Sequence, residues 1–159
     1  MAVTLSLAGC DSADGTGSGG DKESAAAAIE AARAYQQASV DQDWKAADEA
    51  RTERLRRSRG ADTIAECVEI TGTPRLRNHS DAQVSTGEAV EIETFGPHPA
   101  GIGVRVTVEP GTAARGMSIN TVLRLVPGER GAWLVDQAVN LAETESPDGE
   151  DVRAALRRK

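Results

Sequence analysis

The chain has 159 residues, the length of one domain, with a net charge of −7, 39% hydrophobic residues and only 3% aromatics. The acidic balance excludes nucleic acid as a partner, because phosphate binding needs basic surface. No stretch approaches the roughly 20 apolar residues of a membrane-crossing helix. A core must rest on Ala, Val, Ile and Leu, each of which removes less area from water than a ring.

The first element is a short apolar stretch, residues 2–8, that runs into Leu7-Ala8-Gly9-Cys10. Small residues before a cysteine at the end of an apolar run resemble the cleavage box of bacterial lipoproteins. That resemblance covers about the first ten residues. It implies cleavage before Cys10, diacylglycerol on the Cys10 sulfur, and a place on the outer, extracytoplasmic face of the cell membrane. Each buried CH₂ of acyl chain contributes about 0.8 kcal/mol, and two chains anchor stably where one does so marginally. Residues 1–9 then read as the remnant of a signal peptide. An export signal needs a positive start and about 7–15 apolar residues. No Lys or Arg precedes Lys22, so the reading frame is expected to begin upstream of Met1.

Residues 10–22 carry the lipidated cysteine and an acidic Gly/Ser-rich linker. A flexible coil over residues 11–21 has a root-mean-square span of about 17–20 Å, and its Asp11, Asp14 and Asp21 repel an anionic bilayer. The domain is expected over 23–142, with 143–159 as a charged C-terminal tail. Its first helix is predicted over 24–39, which is rich in Ala and free of Gly and Pro. Asp41 or Asp43 can cap a second helix running through Trp44, Ala47, Ala50, Arg54 and Leu55. The short link between the two predicts adjacent helices. Thr63-Ile64-Ala65-Glu66 matches a capping box that opens a short third helix.

Beyond Asn78 the period changes from helical to alternating. Val90 and Ile92 share one face of a strand. Ile102, Val104, Val106 and Val108 alternate with Gly103, Arg105, Thr107 and Glu109. Ile119, Thr121, Leu123 and Leu125 form a further inward set. Turn chemistry over 127–131 precedes Trp133, Val135, Gln137 and Val139. Successive strands with short turns predict an antiparallel meander with one covered face. The tail is expected as a frayed helix over 150–158 or as solvated chain.

Helices followed by an antiparallel sheet predict an α+β fold. The order resembles the NTF2-like superfamily, which includes SnoaL-like members. Its local echoes are Tyr35-Gln36-Gln37-Ala38-Ser39-Val40-Asp41-Gln42-Asp43-Trp44-Lys45-Ala46-Ala47 and Gly131-Ala132-Trp133-Leu134-Val135-Asp136. The likeness covers about residues 24–142 and implies helices on a curved antiparallel sheet, a cone with a cavity between them.

Some members of that superfamily isomerise steroids; many others only bind. An isomerase needs a carboxylate as general base and a donor facing the developing enolate. Tyr35 stands on the first helix, where such a member would place the donor, and Asp62 is the nearest acid after the second helix beyond Glu53. Between them lie Arg51, Arg54, Arg56, Arg57 and Arg59, a departure from the family pattern. Tyr35 otherwise reads as a packed helix residue with its hydroxyl at the surface. Arg54 and Arg57 share a helical face and are candidates for anion binding; the same run also reads as a solvated helix end. Asp136 follows the strand alternation to solvent.

His79 and His98 lie far apart with no ligand at metal spacing, so no metal or cofactor is expected. Cys67 shares a helical face with Ile64 and Val68 and reads as a buried small hydrophobe. A Cys10–Cys67 disulfide stays open if Cys10 is unmodified. The expected function is a lipid-anchored binding or interaction module of the cell envelope, meeting the membrane through its anchor and a small apolar ligand or an envelope protein through its body. The alternative is an isomerase-like enzyme using Tyr35 and a nearby carboxylate.

Overall fold

The computed structural model describes residues 18–72, 81–111, 118–141 and 149–158. Four helices come first: α1 (Ser18–Val40), α2 (Trp44–Glu49), α3 (Glu53–Ser58) and α4 (Ile64–Thr71). A meander of β1 (Gln83–Ile92), β2 (Gly101–Glu109), β3 (Ile119–Pro127) and β4 (Trp133–Asn140) follows, then α5 (Gly149–Ala155). The four strands pair antiparallel in sequence order. The fold is α+β, with helices before an antiparallel sheet.

Helix α1 begins at Ser18, so the last residues of the expected linker are helical. Its buried stripe is Ala28, Ala32 and Tyr35 at helical spacing. Two methyl side chains let the helix lie close to the sheet. After Val40 the chain reverses through Gln42, whose φ is 62°. Asp43 then caps α2, its carboxylate accepting from Ala46 N at 3.1 Å.

The expected continuous second helix is broken. It stops at Glu49, and residues 50–52 run alongside the bare edge of β4. Thr52 N donates to Val135 O at 2.9 Å and Val135 N donates to Ala50 O at 2.8 Å. Val135 is buried, and a buried edge residue must find partners for its main chain. The helix gives up a turn to supply them. Thr52 restarts the helix as the cap of α3. Arg51 is therefore not on a helix and shares no helical face with Leu55. In α4 the capping box forms as expected, Thr63 Oγ1 accepting from Glu66 N at 3.2 Å and Glu66 Oε2 accepting from Thr63 N at 3.1 Å.

Both faces of the sheet are covered, where one was expected. Ile102, Val104, Val106, Leu123, Leu125 and Val135 face α1, α2 and α3. On the opposite face Ile92 and Val122 pack against Val152, Ala155 and Leu156 of α5. Residues 149–158 are thus neither a frayed helix nor solvated chain; their apolar face packs on the second side. Gly103 makes room for it. A Cβ there would stand 2.7 Å from Val152 Cγ1 and 3.2 Å from Leu156 Cδ1.

Two bulges shift the strand faces. In β1 the register slips between Thr86 and Ala89. In β4, Arg124 pairs with Gln137 while Leu125 pairs with Val135, so Asp136 is the extra residue of a bulge. The expected set of Trp133, Val135, Gln137 and Val139 is split there. Trp133, Val135 and Ala138 face the N-terminal helices, and Val139 joins the α5 side. Ile119, expected inward, is an exposed start to β3.

Candidate functional site

The bulge in β4, the extended residues 50–52 and the β1–β2 turn meet at one place. They assemble two polar clusters around buried carboxylates.

The deeper cluster is centred on Arg51. Its Nη1 forms an ion pair with Asp48, and both side chains are almost completely buried. Arg51 Nε donates to Tyr35 Oη at 3.3 Å, and Nη1 lies 3.2 Å from Cys67 Sγ. The guanidinium carbon stands 5.5 Å from the Tyr35 ring centroid. Burial alone would lower the pKa of Arg51; Tyr35, Asp48 and Cys67 outweigh it and raise it. Cys67 is buried, as expected. Tyr35 is 5% exposed in the core cluster that includes Leu123 and Leu125, and its hydroxyl, expected at the surface, accepts from the buried arginine.

Asp62, the expected partner of Tyr35, is 85% exposed and lies 3.7 Å from Arg57 Nε. A sealed phenol and an exposed carboxylate do not converge on a pocket. Arg57 also pairs with Glu53 one turn away. It faces two exposed carboxylates, whereas Arg54 turns to Asp136. Arg56 turns back to donate to Arg51 O at 2.7 Å. The arginine run is therefore mostly consumed within the fold.

Arg54 goes to the second cluster. Asp136, expected at the surface, is 2% exposed, because the bulge aims its carboxylate under α3. Oδ1 accepts from Thr52 Oγ1 at 3.0 Å. Oδ2 receives both the Arg54 Nη2 ion pair and His98 Nδ1 at 2.9 Å. Thr52 does two jobs, since its Oγ1 also accepts from Leu55 N at 3.2 Å as the α3 cap. His98 is presented by a tight turn in which Phe95 N donates to His98 O at 2.9 Å and His98 N donates to Phe95 O at 3.0 Å. Gly96, at φ 56°, lets that turn close.

Burial, then Arg54 and Arg124, hold the His98 pKa below its ordinary value. That environment favours the neutral imidazole. A carboxylate only accepts, so Nδ1 carries the proton and Nε2 keeps its lone pair. Burial also lowers the pKa of Arg54, and burial with Arg54 lowers that of Arg124. Arg54 Nε has no hydrogen-bond partner among the described residues.

Sequence reasoning missed this cluster. Thr52, His98 and Asp136 lie on three separate elements, and the bulge that turns Asp136 inward breaks the alternation that placed it outside. The one signal is an acid inside an otherwise apolar strand. Among the described residues no three His, Cys, Asp or Glu groups are gathered to hold a metal. His79 and Cys10 lie outside the described residues. A separate open groove of about 460 Å³ on the α5 side is lined by Ser85, Glu88, Arg105, Thr107 and Val152.

No protein-family model matches the chain, and neither a curated protein nor a solved structure matches it.

Proposed function

We propose that this chain is a lipid-anchored protein of the extracytoplasmic face of a bacterial membrane, with an NTF2-like body that binds rather than catalyses. The observation that carries the reading is the run Leu7-Ala8-Gly9-Cys10 followed at once by Asp, Gly, Ser and Thr. Those residues lie outside the described ones. Helix α1 starts at Ser18, so residues 11–17 separate Cys10 from the folded body. No helix among the described residues is long and apolar enough to cross a membrane, and the reading needs none.

Helices leading into a four-stranded meander support the NTF2-like comparison. Binding is favoured over isomerisation because Tyr35 is packed in the core and Asp62 is solvated. Leu55, Val104, Leu123 and Leu125 pack in one core with Ala28, Ala32 and Tyr35 of α1, which favours binding at the surface, either of an envelope protein or of a small molecule.

Labelling cells with radioactive palmitate tests the anchor. Label on the wild-type chain that disappears in Cys10→Ser supports it. An unlabelled, freely soluble wild-type product overturns it.

A further inference from the structure

We infer that Arg54 and His98 form a binding site for an organic anion with a hydroxyl beside its charge, such as a phosphorylated or carboxylated polyol. The inference deepens the reading of the body as a binding module and is independent of the lipid on Cys10.

Both side chains rest on one oxygen, Asp136 Oδ2. They are thereby held as neighbours. The carboxylate beneath them is 2% exposed, whereas Arg54 is 34% and His98 21% exposed. The acid is the floor, and the cation and the imidazole are what a ligand meets. The Asp136 bond fixes the tautomer of His98, leaving Nε2 as an acceptor for a hydroxyl. Arg54 gives Nη2 to Asp136, and a third of its side chain stays exposed beside His98. Its Nε is buried and does not face a ligand.

Charge points the same way. Arg124 stands close enough to act on His98, and among the described residues its bonds go to neutral acceptors: Gln137 Oε1 and the carbonyls of Glu93, Pro99 and Leu156. The Glu93 carboxylate is solvated and pairs with Arg157. Among the described residues Arg54 pairs with Asp136, while the buried Arg124 is held by neutral acceptors, which leaves positive charge behind His98. The local excess selects an anion, and the neutral imidazole adds the preference for a hydroxyl donor. A metal cation is disfavoured by the same excess. The depressed His98 pKa is consistent with this field, and an arriving anion should raise it.

Glycerol 3-phosphate is the probe, titrated into the full-length chain while the His98 ring resonances are followed, assigned by their loss in His98→Gln. A saturable shift, with an upward move of the His98 titration midpoint, is expected; glycerol alone should give neither. Arg54→Gln should weaken binding about tenfold. Arg54→Lys, which keeps the charge over Asp136, should fold and bind at intermediate strength. Phosphatidylglycerol vesicles form the second arm. Stronger perturbation by vesicles makes a lipid headgroup the source of the ligand, and a response to the soluble compound alone makes it a free metabolite. A titration without a saturable shift, or equal affinity in wild type and both Arg54 variants, overturns the site. That failure leaves the palmitate result standing, so the site and the anchor fail separately.

Discussion

Arg124, in the middle of the third strand, donates to the main-chain carbonyl of Leu156 across 3.4 Å. A buried guanidinium thereby satisfies the end of the last helix, where carbonyls have no intrahelical partner. The same side chain donates to Glu93 O at 2.9 Å, Pro99 O at 2.7 Å and Gln137 Oε1 at 3.2 Å. It joins the β1–β2 connection, β4 and α5 while being 1% exposed.

Arg124→Met should therefore destabilise the fold by about 3 kcal/mol, since several buried acceptors lose their donor at once. Urea unfolding measures the total. Amide exchange should show the largest loss of protection over residues 149–158.

Gly103→Ala tests the α5 contact from the other side. The new methyl meets Val152, Leu156 and Ile92 together, and overpacking of this kind destabilises by about 1–3 kcal/mol. Exchange should quicken in α5 and leave α1 unchanged. Unchanged exchange throughout would mean that α5 does not seat on β2.

Asp48→Leu should destabilise by about 3–5 kcal/mol, because it strands the buried Arg51 charge. Adding Arg51→Met should recover much of the loss. A double-mutant cycle by urea denaturation gives the coupling; additive losses would show that the pair does not act as a unit.

Two groups make stability depend on pH in separate windows. The His98 pKa is depressed below its ordinary value of about 6.5. The unfolded chain therefore takes up that proton first as pH falls. His98 contributes stability above about pH 6.5, and this is lost as the pH drops through the lower folded midpoint. Glu66 is also depressed, by the main-chain N–H groups of Asp62 and Thr63. Its contribution is present above its ordinary pKa of about 4.5 and lost at more acid pH. Urea midpoints followed from neutral to acid pH should decline in two stages, with the first absent in His98→Gln.

Thr63→Ala removes the side-chain half of the capping box and should destabilise by about 1 kcal/mol, with loss of exchange protection confined to the start of α4.

Much of the architecture was legible in local chemistry. Asp41 or Asp43, of which Asp43 is the cap, and Thr63 announced helix starts because capping is decided within three or four residues. Val104 and Val106 announced an inward strand face because alternation along a straight strand is a property of the backbone. Arg51 shows where this stops. Its neighbours read as helix, and the helix breaks because β4, more than eighty residues away, needs hydrogen-bond partners at Val135. Asp136 shows the same limit, since a single bulge reverses its face.

The amino-acid sequence by itself determined the acidic charge, the helix-then-strand order and most caps, because each depends on composition or on residues adjacent in the chain. Only the tertiary structure decided that the C-terminal segment covers the sheet, that Tyr35 is sealed, and that His98 and Arg54 meet on Asp136. Those outcomes depend on register, bulges and the satisfaction of buried polar groups between elements far apart in the chain, and short-range pattern carries no information about them.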